Sequence, residues 1–128
     1  MKALTVRQPW AWAIVHAGKD IENRSWKTQF RGQIAIHASA KIATDVQLPK
    51  RSRKPYPHEL ICGAIIGVVD ILGVVDDSRS KWFEGPYGFV LANPRPLSKP
   101  IFCKGRLSLW DLPPDVSREV EKRLARKN

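Results

Sequence analysis

The chain has 128 residues, 43% hydrophobic and 27% charged, the composition of a soluble globular domain with room for a real core. Its apolar runs all fall short of the roughly 20 residues a membrane helix needs, which excludes a helical membrane protein. The surplus of 22 lysines and arginines over 12 acids gives a net charge of +10, a positive field that draws polyanions through counterion release or, more blandly, serves solubility.

The start, Met1-Lys2-Ala3-Leu4-Thr5-Val6-Arg7, lacks a signal peptide's apolar segment, so a cytoplasmic location is expected. Lys2 to Val6 alternates as a short strand. Gln8-Pro9 then opens a helix, with proline where its missing N–H costs nothing. Trp10, Ala13, Ile14 and Ala17 fall at helical spacing, and Gly18 is the residue to end the helix. The next segment, Asp20-Ile21-Glu22-Asn23-Arg24-Ser25-Trp26, reads as extended. Alternation then places Asp20, Glu22, Arg24 and Trp26 on one face and Ile21 and Asn23 on the other, with Lys19 at the corner.

Gly32 to Ala38 reads as a strand with Ile34 and Ile36 inward, and Ser39 as the cap of a short helix through about Val46. Residues 49–57, with three prolines and the cations Lys50, Arg51, Arg53 and Lys54, form an exposed loop that contacts nucleic-acid phosphates or is merely solvated. Ile61 to Val75 is the most apolar stretch. Its β-branched residues, with Gly63, Gly67 and Gly73, predict one long central strand bent at a glycine. Its single charge, Asp70, needs a partner if buried, since buried carboxylates persist only when paired. Lys19, Arg24 and Arg7 are the candidate cations, and an exposed, wet Asp70 is the alternative.

An aromatic-glycine loop, Trp82 to Gly88, leads into a strand from Tyr87 to Leu91. Asn93-Pro94-Arg95-Pro96 turns the chain, Leu97 to Cys103 forms another strand, and Gly105 to Leu109 closes the sheet. A last helix over 113–126 carries an apolar stripe of Val116, Val120 and Leu124. Cys62 and Cys103 form no Cys-x-x-Cys pair and no zinc spacing with the three histidines, which predicts reduced thiols and neither metal nor cofactor. The whole, residues 1–128, reads as one α+β domain: a small mixed, curved or barrel-like sheet with peripheral helices.

Arg7-Gln8-Pro9-Trp10-Ala11, Gly18-Lys19-x-x-Glu22-Asn23-Arg24-Ser25-Trp26 and Gly32-x-Ile34-x-Ile36-His37-Ala38-Ser39 resemble the ASCH domain family. Gly63 to Val69 and Trp82-x-x-Gly85-Pro86-Tyr87-Gly88-Phe89 extend the resemblance over nearly the whole chain. It implies a PUA-like β-barrel with peripheral helices, a cavity beside it, and a role with RNA or modified nucleosides. Some members hydrolyse the acetyl amide of N4-acetylcytidine. The resemblance to them places their lysine on Lys19 and their strand acid on Asp70, although this chain has Glu22 where they carry threonine and an aspartate where they carry glutamate. Other members resemble RNA-binding modules, some with ribonuclease behaviour.

Three functional readings stand side by side. In the first, a polar pocket of an RNA-interacting domain binds a nucleotide or modified nucleoside through Arg7, Gln8, Arg24 and Ser25. Trp26 and Trp82 are its stacking platforms, since an indole face accepts any base. In the second, an amidohydrolase uses Lys19, Glu22 and Asp70. Because neighbouring acids favour the ammonium form of a lysine, Lys19 would then orient an oxyanion while an acid activates water. The third is a partner-binding module with incidental charge. An ion-pair network without chemistry accounts for the same acids and cations.

Overall fold

A computed structural model of the chain describes residues 1–42 and 60–125. The elements run β1 (Lys2–Gln8), α1 (Trp10–His16), β2 (Ile21–Arg24), β3 (Gly32–Ile42), β4 (Ala64–Val75), β5 (Tyr87–Phe102), β6 (Leu109–Asp111) and α2 (Pro114–Ala125). The six strands form one sheet in the order β2-β5-β4-β3-β1-β6. β1 runs parallel to β3, and the other pairings are antiparallel. Among the described residues β2 and β6 are edges, so the mixed α+β architecture is as expected, but the expected barrel is an open, curved sheet.

Apolar side chains cover both faces of the sheet. Leu4, Val6, Ile34, Ile36, Val69, Ile71 and Phe89 pack with Ala11, Ile14 and Val15 of α1 on one face. Ala3, Ala35, Ile65, Val68 and Trp110 pack with Val120 of α2 on the other. This two-sided burial is why the central strands read as continuous apolar runs rather than alternating ones. The short helix α1 ends as its sequence indicates: Gly18 takes φ 78°, which glycine adopts without a Cβ clash. The Lys19 N–H then returns to the Ala13 carbonyl at 3.0 Å.

Three expectations are corrected, and one lies outside the described residues. Ser39 does not cap a helix; β3 continues to Ile42, and the rest of the expected helix lies outside the described residues. The basic loop at 49–57, with Lys50, Arg51, Arg53 and Lys54, also lies outside them. Asn93-Pro94-Arg95-Pro96 does not turn the chain. Residues 87–102 form one strand, with Asn93 at φ 55° and an irregularity where Val68 faces Arg95 but Asp70 faces Ala92. The extra residue forms a bulge, one of the places where strand prolines are tolerated. Gly105 to Ser108 is not strand; only Leu109–Asp111 pairs with β1.

Candidate functional site

The stretch after α1 is built around a buried ion-pair triad. Lys19 is 4% exposed, yet its ammonium donates to the Ile21 carbonyl and to Glu22 Oε1, the latter at 3.1 Å. It also lies 5.7 Å and 5.9 Å from the ring centres of Trp10 and Trp82, a cation–π setting that offsets part of its desolvation. Glu22 is 7% exposed. Its other oxygen, Oε2, accepts from Arg24 Nε at 3.1 Å and from Nη2 at 3.0 Å, a two-pronged guanidinium contact. Arg24 Nη2 also donates to the Thr5 carbonyl at 2.9 Å, tying β2 to β1.

Strand alternation sets these directions. Glu22 lies opposite Phe89, and Phe89 belongs to the core on the α1 side of the sheet, so Glu22 and Arg24 point to that side. Trp26 follows them and packs edge-on against Phe89 at 5.1 Å. Asn23 points the other way. Its side-chain N–H donates to the Trp82 carbonyl, and its oxygen accepts from the backbone N–H groups of Glu84 and Gly85. One residue thereby pins the aromatic-glycine loop against β2.

Glu22 and Arg24 of the triad form part of the wall of a cleft of about 620 Å³, within the size range of small-molecule sites. Arg7, Arg24, Lys41 and Arg106 line it with Glu22 as the one carboxylate, and Trp10, Trp26, Ser25 and Ser39 complete much of the rest. Among the described residues, four cations line the hollow against one acid, and that acid is already engaged by two cations. The cleft thus brings together Arg7, Glu22, Arg24, Ser25 and Trp26 from the expected set.

Three expected members stand elsewhere. Asp70 does not pair with Lys19, Arg24 or Arg7; it is half-buried and accepts from Asn93 Nδ2 at 2.9 Å. Its neighbours Val69 and Ile71 face the α1-side core, so alternation turns Asp70 to the opposite face of the sheet, away from Glu22. Trp82 is only 5% exposed, packed edge-on against Trp10 at 6.3 Å, and offers no open face to a base. Gln8 is 1% exposed. Its amide donates to the Ile61 carbonyl at 2.7 Å and accepts from the Trp12 N–H at 2.9 Å. It secures the first turn of α1 and lines a separate, mostly apolar cleft of about 460 Å³.

Lys19 does not line the 620 Å³ cleft; it underpins Glu22, which does. Conversely, the cleft contains Lys41 and Arg106, which no motif singled out. Arg106 lies in a segment whose alternation read as strand, and Lys41 lies where a helix was expected, so local pattern concealed both. Thr5 was also missed: its hydroxyl accepts from the Trp110 indole at 3.1 Å and meets His37 Nδ1 at 3.3 Å. Among the described residues no cluster of three or more metal-ligating side chains occurs, and no helix is long and apolar enough to cross a membrane.

The fold and this post-helix site define a known class. The ASCH domain profile matches residues 4–101, and the chain belongs to the ASCH domain family. It is similar to activating signal cointegrator 1 of Homo sapiens, 26% identical over 142 aligned residues, and to its Mus musculus counterpart at 24%. In both cases 98% of this chain is aligned with 24% of the relative, so the chain spans about a quarter of the length of the curated relatives it matches.

Proposed function

We propose that this ASCH domain binds nucleic acid and that the Arg24 cleft receives a nucleotide. The observation that carries this reading is the Glu22–Arg24 pair, braced by Lys19, in the wall of a cation-lined hollow. Glu22 holds Arg24 by Nε and Nη2, which leaves the remaining guanidinium nitrogen, Nη1, for a phosphate, a ligand arginine suits well. Arg7, Lys41 and Arg106 add exposed positive charge around it. The half-exposed Trp26 supplies an aromatic face for a base.

The same geometry supports binding over hydrolysis. A general base must be within reach of a substrate proton with a lone pair to spare. Lys19 and Arg24 take three of the roughly four lone-pair sites of Glu22 and hold both its oxygens within the ion pair, and Asp70 faces away from the cleft. Lys19 donates to a carbonyl and a carboxylate, which suits an anchor and not a nucleophile.

Fluorescence anisotropy of a labelled single-stranded RNA, with the wild type and Arg24→Gln, tests this. The wild type should bind, with affinity falling steeply between 50 and 200 mM salt, as phosphate contacts require. Arg24→Gln should weaken binding at least about tenfold, the lower end of what a lost charged hydrogen bond costs. Incubation with N4-acetylcytidine should release no cytidine above background. Turnover that disappears in Lys19→Ala would establish the hydrolase instead, and binding to proteins but not to RNA at any salt would establish a partner-binding module.

A further inference from the structure

Next to the Arg24 cleft lies a second hollow of about 550 Å³. The two adjoin, with Thr5, Ser39, Lys41, Arg106 and Leu107 lining both. The second adds Lys104, so among the described residues three cations line it and no carboxylate does. The segment 103–108, between β5 and β6, forms the rim between the two hollows.

That rim is held in place from below. His37, 2% exposed on β3, lies with Nε2 2.7 Å from the Cys103 carbonyl and Nδ1 3.3 Å from the Thr5 hydroxyl. A carbonyl only accepts, so Nε2 carries a proton. The Thr5 hydroxyl, accepting from Trp110, then donates to Nδ1. Gly105 rests against the same imidazole: a Cβ there would stand 2.7 Å from His37 Cε1 and 2.8 Å from Thr5 Oγ1. Ser108 sits at φ 59°, a conformation that a residue other than glycine keeps when its surroundings impose it. Between these fixed points Leu107 is 92% exposed, with exposed Lys104 and Arg106 close by in the chain.

We infer that the two hollows form one groove for a single-stranded oligonucleotide of at least two nucleotides. The first nucleotide occupies the Arg24–Trp26 lobe. The chain then crosses the rim, its phosphate between Arg106 and Lys41, and the next nucleotide enters the lobe of Lys104 with Leu107 against its base. This inference rests on the proposal that the Arg24 cleft takes a nucleotide. An unpaired strand is specified because Trp26 and Leu107 address base faces, which a duplex keeps stacked inside.

The experiment compares uridine monophosphate with di- and tetrauridylate as competitors of a labelled octauridylate, for the wild type, Lys104→Ala, Leu107→Ser and Arg24→Gln. Affinity should rise at least about tenfold from mono- to tetranucleotide, as added phosphate and base contacts imply. Lys104→Ala should lower the log-log salt slope of tetranucleotide binding by about 0.7, the value for one phosphate contact on a single strand, and leave monophosphate binding unchanged. Leu107→Ser, at a site too exposed to affect folding, should weaken the tetranucleotide severalfold, and more than it weakens the monophosphate. Affinity independent of length overturns the groove, as does a tetranucleotide indifferent to both rim variants. If Arg24→Gln still abolishes monophosphate binding in those cases, the nucleotide site survives alone. Failure of every length to bind removes the nucleotide site as well.

Discussion

Replacing Glu22 by glutamine keeps the side chain's shape and removes the only negative charge of the buried triad. Lys19, with a side chain 3% exposed, would then lie close to Arg24, 21% exposed, with no counter-ion between them. Removing one partner of a buried pair costs about 3–5 kcal/mol, because the remaining charge stays desolvated. Against a stability of about 5–15 kcal/mol for a domain of this kind, that is a large fraction. For a chain of this length it corresponds to a drop in Tm of roughly 10–20 °C. Thermal unfolding followed by circular dichroism, with denaturant melts for the free energy, measures it. The double variant Lys19→Met/Glu22→Gln should recover most of the loss, since no unpaired buried ammonium then remains. The exposed Lys2–Asp111 pair, at 36% and 75% side-chain exposure, is the control: Asp111→Asn should cost less than about 1 kcal/mol. A Glu22→Gln loss no larger than that control, or a double variant as unstable as the single, would refute the triad as a buried electrostatic unit.

Two further outcomes follow from packing and burial. In Gly67→Ala the new Cβ would stand 2.8 Å from the Arg95 carbonyl oxygen and 2.9 Å from Val15 Cγ1, so β5 or α1 must shift. A loss of about 1–3 kcal/mol in urea unfolding is expected, and unchanged stability would contradict it. Burial pushes the Cys103 thiol pKa up, so in a Cys62→Ser background its alkylation at pH 8 should be slower in the folded protein than in urea. The folded state holds that proton to higher pH than the unfolded chain. Cys103 therefore favours folding fully at neutral pH and less as pH rises through the thiol range, a decline that Cys103→Ala should lack.

Much of the site was legible in local pattern, because β2 pairs with β5 without a register shift over Ile21–Arg24. Helical spacing over Trp10 to Ala17 and the stop at Gly18 led directly into β2, where a period of two put Glu22 and Arg24 on one face as observed. Asp70 was not legible in that way. In β4, Ile36 faces Gly67 while His37 faces Ile65, so Ile66 is an extra residue, and Leu72 is another between Ile71 and Gly73. Each bulge reverses the parity of alternation, so Ile66 and Val74 pack on one face and Val68 on the other. Because apolar residues cover both faces, nothing in the pattern signalled the reversal. Burial explains Trp82 similarly. An indole in a glycine-rich loop looks available until Asn23 fastens that loop over Lys19 and Trp10. The cations at Lys41 and Arg106 come from segments distant in sequence, and only the parallel pairing of β1 with β3 and the 103–108 rim assemble them beside Arg24.

The location of the bound nucleotide is the central claim, and the five tryptophan indoles report on it separately. In a ¹⁵N-labelled sample titrated with a short single-stranded RNA, the indole signals of Trp10 and Trp26, which line the cleft, and the Arg24 Nε–H should shift in proportion to occupancy. The signals of Trp82 and Trp110, which are buried and line neither hollow, should shift less than those two. Shifts centred on Trp12, beside the apolar cleft of Gln8 and Ile61, or confined to α2, with Trp26 and Arg24 unmoved, would contradict the assignment of this cleft as the nucleotide site.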